Sequence, residues 1–99
     1  MQVLLKIHSS PECNIIALCD QDILGKRFEE NDNILDVDKA FYEGKEASKE
    51  EICTALSECT SATIAGNEAV GIALECGVLS KDGVKELCGI KYALMFRLH

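Results

Sequence analysis

The chain of 99 residues has no tryptophan, a single proline (Pro11) and only two histidines, His8 and His99. One proline excludes a proline-rich linker or recognition segment. Two histidines, one of them the last residue, leave little of the imidazole on which acid–base catalysis and metal ligation ordinarily draw. No apolar run approaches the roughly 20 residues that cross a bilayer. The apolar stretch in MQVLLKIHSS is too short for a secretion signal and has no basic residue before it. The sequence therefore reads as a cytoplasmic protein that begins at its own methionine and has no membrane partner.

Positive charge is scarce as well. Seventeen acidic residues face ten basic ones, for a formal net charge of −7. Most of the imbalance lies in residues 29–51, where nine acids stand against Lys39, Lys45 and Lys49. Such a block repels phosphate backbones, so no direct nucleic-acid partner is expected. A protein partner with a basic surface suits it, and so does a plain solvated surface.

Cysteine is plentiful, but C-x-x-C is missing. Cys13 and Cys19 would lie about 20 Å apart on an extended strand. Cys53 and Cys59 would be separated by a rise of about 9 Å along a helix. Neither pair can share a metal ion or a disulfide without breaking its element. A site drawing one cysteine from each region stays open, but the expectation is six reduced thiols serving as small core hydrophobes, with no metal and no cofactor.

The apolar periodicity gives a single α+β domain over residues 1–99. Its sheet is mixed or antiparallel, of about five or six short strands, with two main helices packed on it. QVLLKI and NIIALC read as a hairpin, with the proline in its turn. In DQDILG, Asp20 caps one helical turn and Gly25 ends it in a left-handed conformation. KRFEE and ILDVD form a second hairpin about the turn NDN, and AFYEGKEA is irregular. Ser48 and Glu51 make a capping box that opens a helix with the apolar stripe Ile52, Ala55, Leu56 and Cys59. SATIAG interrupts it, and Asn67 caps a second, largely buried helix stopped by Gly77. Ser80 to Leu87 is a short helix or a loop leading into a strand. IKYALMFRL carries Tyr92, Leu94, Phe96 and Leu98 on one face and Ala93, Met95 and Arg97 on the other. Apolar residues on both faces place it inside the sheet, with Leu94 and Phe96 in the core.

CDQDILGKRF, AFYEGKEAS, SATIAGNEAVGIALECGVL and GIKYALMFRL, in that order, resemble the archaeal family catalogued as domain of unknown function number 424. The resemblance spans nearly the whole chain. It is most specific in Cys19 to Lys26 and in Ala62 to Val70, and it implies an archaeal, cytoplasmic protein with no assigned activity. Where members of that family commonly end in Gly-Val-Pro-His-Ala-Gln, this chain has Gly89, Ile90, Lys91, Tyr92, Ala93 and Leu94. A histidine acting as base or ligand in relatives would be missing here.

Two places carry candidate chemistry. Around the Leu-Gly turn, Cys19, Asp20, Asp22 and Lys26 could serve a small enzyme or a ligand-binding protein. The run is no P-loop, because Arg27 stands where Ser or Thr is required. A hairpin places His8 far from Cys19, so the pair cannot form a dyad. Gly66 and Asn67 open a helix whose first amides form a generic anion site, with Glu68 competing for them. The second place is the acidic segment. There Phe41 and Tyr42, flanked by Glu43 and Glu46, are either a core plug or an exposed anchor for a partner. No complete catalytic constellation is present. The leading reading is thus a non-enzymatic interaction module, a monomer or weak homodimer, docking a larger basic protein, with translation or RNA processing as its setting. The alternative is the small ligand-binding protein or enzyme at Cys19–Lys26.

Overall fold

The computed structural model describes residues 2–96. It is an α+β domain built on a six-stranded mixed sheet, with a separate two-stranded sheet beside it. The first hairpin is as expected. β1 (Val3–Ser9) pairs antiparallel with β2 (Asn14–Asp20), matching Val3 with Asp20 and Ser9 with Asn14. A single 3-10 turn at Gln21–Ile23 leads to Gly25, whose φ of 82° is the left-handed conformation that its position requires. β3 (Arg27–Glu30) and β4 (Asn33–Asp36) make the second hairpin, with Asn31 and Asp32 at positive φ in its turn.

The segment AFYEGKEA is not irregular. It forms one helical turn, α1 (Lys39–Tyr42), and a two-residue strand, β5 (Lys45–Glu46), on the outer side of β1. Gly44 crosses the β1 backbone between them. A Cβ there would lie 2.2 Å from the Leu5 carbonyl oxygen, so only glycine fits. α2 (Lys49–Glu58) opens on the capping box: Ser48 Oγ accepts from Glu51 N–H, and Glu51 Oε1 accepts from Ser48 N–H. SATIAG is more than a helix break. Ser61–Ala65 is β6, parallel to β2 and in the middle of the sheet. α3 (Asn67–Glu75) follows and stops at Gly77. A 3-10 turn at Lys81–Gly83 precedes β7 (Lys85–Leu87), which pairs with β8 (Ile90–Phe96). The sheet order is β5-β1-β2-β6-β8-β7.

Alternation along the strands divides the core in two. Val3, Ile16, Leu18 and Ile64 point to the face covered by α2 and α3, where they meet Ile52, Leu56, Val70 and Ala73. Their neighbours Leu4, Ala17, Cys19 and Ala65 point to the other face, beneath Ile23, Leu35, Val37 and Tyr42. The covering on this second face stops short of one corner. β8 lies inside the sheet by order, but it is Ala93 and Met95 that are buried on it, while Leu94 and Phe96 are 58% and 74% exposed. Leu94 and Phe96 stand beside Thr63 and Ser61 on β6, beyond the reach of the small hairpin. The expectation that they fill the core is therefore corrected. Arg97 and Leu98, assigned to the same strand from sequence, lie outside the described residues, as does His99.

Cysteine supplies a further correction. Cys53 on α2 and Cys76, at the C-terminal end of α3, form a disulfide with Cα atoms 5.4 Å apart. The expectation of six thiols considered pairs within one element, whereas this bond joins two helices lying side by side on the sheet. Lys49 and Glu75 form an ion pair between the same helices.

Candidate functional site

Because β2 and β6 are parallel, both end at the same edge of the sheet. Cys19 is level with Ala65, which brings Asp20 against Gly66 at the start of α3. The buried Asp20 carboxylate accepts from Glu68 N–H at 3.1 Å and from Ala69 N–H at 2.8 Å. Asp20 therefore caps α3, 48 residues downstream, and makes no side-chain cap to the 3-10 turn beside it. Gly66 has φ 116°, and a Cβ on it would sit 2.3 Å from the Asp20 carboxyl carbon. The anion site anticipated at Gly66 and Asn67 is thus filled by the chain's own carboxylate. Asn67 does not cap the helix, whose N-cap is Gly66. Instead Asn67 Nδ2 donates to the Gly89 carbonyl and its Oδ1 accepts from Lys91 N–H, which ties down the β7–β8 turn.

The electrostatics of this corner oppose chemistry there. Cys19 is fully buried, and burial together with the neighbouring Asp20 pushes its thiol up to about 11. A thiol so placed stays protonated at neutral pH and is a poor nucleophile. Burial also raises the Asp20 carboxyl above its ordinary range, against the opposing pull of the Ala69 and Glu68 amides. Tyr42, buried over Cys19, is pushed up to about 12, chiefly by burial. Asp22 and Lys26 are exposed on the turn. Of the residues singled out around the Leu-Gly turn, Cys19 is packed and Asp20 caps α3 against Gly66, while Asp22 and Lys26 are left in solvent. Among the described residues, no group of three His, Cys, Asp or Glu side chains is placed to hold a metal ion.

The acidic segment is arranged differently. α1 is pinned to β1 by two side chains: Lys6 Nζ donates to the Ala40 carbonyl at 3.0 Å, and His8 Nε2 donates to the Phe41 carbonyl at 2.9 Å. The half-buried Phe41 ring stacks on the His8 ring, with centroids 4.7 Å apart, and meets Tyr42 edge-on at 5.1 Å. Phe41 and Tyr42 are not an exposed pair. Tyr42 plugs the second core, and Phe41 keeps one side to solvent.

The surface is left open beyond these rings. A groove of about 600 Å³ runs between the outer edge of β1 and the start of α2, lined by Leu5, Ile7 and Ala47, by Glu43, Glu46 and Glu51, and by Lys6 and Lys45. It continues along α2 as a shallow depression lined by Leu5, Ile7, Ala55 and Thr54, with Glu50 and Glu58 at its rim. Ile7 forms part of the floor and is 53% exposed. Two of the nearby lysines are committed elsewhere, Lys6 to the Ala40 carbonyl and Lys49 to Glu75. Sequence alone marked Glu43 and Glu46, counted Glu50 only within the acidic segment 29–51, and missed Ile7 and Glu58. The signal available for them was the position of an apolar residue on a strand whose outer partner is only two residues long.

A family model described as protein of unknown function, DUF424, matches residues 7–98. Among solved structures, the chain is similar to the crystal structure of an uncharacterized conserved protein from Methanopyrus kandleri. The two share 27% sequence identity and a TM-score of 0.82, over 97% of this chain and 91% of that one. None of the curated proteins matches.

Proposed function

Since the chain belongs to the DUF424 family, whose name assigns no activity, we propose from its own surface that it is a non-enzymatic interaction module docking a basic protein partner. One observation carries this reading: five carboxylates, Glu43, Glu46, Glu50, Glu51 and Glu58, outnumber the two lysines, Lys6 and Lys45, around an open groove with an apolar floor. Apolar floor and charged rim divide the labour of recognition. The floor supplies contact area, and the rim steers oppositely charged partners and selects among them. The cytoplasmic assemblies of translation and RNA processing, built around nucleic acid, are rich in basic proteins of this kind. The Cys19–Lys26 turn supports the alternative less well, because its thiol is buried and protonated and its carboxylate is engaged in capping.

Affinity purification from the native host at near-physiological salt tests the reading. The wild-type protein is expected to recover a basic protein. A double variant, Glu50→Lys with Glu58→Lys, is expected to lose it with little change in melting temperature, because a lysine in the first turn of α2 and one in its last turn act oppositely on the helix dipole. Raising the salt should weaken the wild-type complex, since exposed charges more than about 10 Å apart are screened at 0.1 M. Recovery of the wild-type chain alone, as a monomer, overturns the reading.

A further inference from the structure

The outer edge of β1 is only half covered. The Val3 carbonyl accepts from Ala47 N–H at 3.1 Å, so Val3 directs its backbone groups to the outer side. In an antiparallel strand both polar groups of a residue point the same way, and alternate residues switch sides. Leu5, Ile7 and Ser9 therefore share the outward direction of Val3. β5 pairs only with Leu4 and Leu5, and the chain leaves the edge at Gly44. Among the described residues, no strand pairs with the outer side of β1 at Ile7 and Ser9.

An open edge of this kind invites another strand, and natural sheets guard against that with charge or by covering the edge. Here the guard is predominantly acidic, with Lys6 and Lys45 as its basic members. The five carboxylates around the groove oppose a second copy of this chain approaching through the same edge, and they favour an extended segment that brings lysine or arginine.

We propose, building on the interaction-module reading, that the groove takes an extended basic segment of the partner as an added antiparallel strand, paired to the backbone of Ile7 and Ser9. The partner residue opposite Ile7 puts its side chain on the same face, over the apolar floor made by Ile7, Leu5 and Ala55. On the side toward Leu5 the neighbouring position is already held by Lys45 of β5, so the added strand ends at this residue. Two positions before it, opposite Ser9, the side chain shares the face, and a basic one there is drawn to Glu58. The segment recognised is thus basic, any residue, apolar. Main-chain pairing gives affinity, and the alternate side chains give selectivity.

The probe is a synthetic peptide, acetyl-Thr-Lys-Thr-Val-amide, titrated into the intact protein and followed by calorimetry and amide NMR. Binding is expected to shift the Ile7 and Ser9 amide protons and protect them from exchange. Methylating the valine nitrogen removes the donor aimed at the Ile7 carbonyl and should weaken binding about tenfold or more. Methylating the threonine nitrogen just before it, which points away from β1, should leave affinity within about twofold of the parent. If both methylated peptides bind like the parent while Glu50→Lys with Glu58→Lys abolishes binding, strand addition is wrong and the acidic docking face stands. If the parent peptide fails to bind wild-type protein at millimolar concentration, the strand site is overturned, and recovery of a native partner then judges the docking reading separately.

Discussion

Asp20 shows how much one side chain can hold at a distance. Its carboxylate closes the first turn of α3 while standing at the end of β2. Replacing it with alanine leaves two inward-facing amides unpaired and is expected to cost about 1–2 kcal/mol. The pH dependence follows from the raised carboxyl pKa, for which burial is the largest cause. Between its unfolded and folded pKa values the native state retains a proton that the unfolded state has released. The contribution of Asp20 to stability therefore falls as pH rises through that window and is greatest below it. The deficit of Asp20→Ala, measured by urea denaturation, should be larger near pH 4 than at pH 7. A deficit that grows with pH would mean that the two amides outweigh burial. Sequence reading placed Asp20 at a cap but on the wrong helix, because a cap acceptor 48 residues away leaves no trace in spacing. Ser48 and Glu51 were legible because a capping box is written within four consecutive residues. Cys53 and Cys76 escaped notice because their pairing depends on where two helices land.

Among the elements, β8 separates what pattern can tell from what it cannot. Apolar residues on both of its faces correctly place it inside the sheet. They do not say which face is covered, since that depends on how far the β3–β4 hairpin extends across the second side. Met95 is buried against the helices, whereas Leu94 is 58% exposed. Met95→Ala is therefore expected to cost about 2–5 kcal/mol through the cavity it leaves, and Leu94→Ala about 0.5 kcal/mol or less. Denaturant midpoints of the two variants check this directly, and equal losses would place both faces in the core. β6 was missed for a related reason. SATIAG has too few large apolar residues to announce a central strand, because its alanines Ala62 and Ala65 are buried on opposite faces, one in each core.

For the molecule as a whole, the Cys53–Cys76 bond closes a loop across a sequence separation of 23 and fastens α2 to α3 over the larger core. Constraint of the unfolded chain by a loop of that size contributes about 3 kcal/mol in the chain-entropy account. For a domain of this length that corresponds to a melting temperature higher by roughly 10–20 °C. Calorimetry with and without reductant should show that difference, and thiol titration in denaturant should count four thiols without reductant, from Cys13, Cys19, Cys59 and Cys88. Six thiols in unreduced protein would show the two helices to be held by packing and the Lys49–Glu75 pair alone.

The sheet order also dictates when the protein can acquire its shape during synthesis. β6 lies between β2 and β8, so it joins a strand made about 46 residues earlier to one made about 30 residues later. Until β8 has left the peptide tunnel, β6 is a bare edge, and the floor beneath α3 lacks Met95. The β1–β2 hairpin can form early, but on its own it is too small to bury Ile16 and Leu18. Pairings this distant in sequence form slowly and leave sticky surface exposed meanwhile. The sheet therefore cannot close until β8 has emerged, and the domain folds as a unit only from that point.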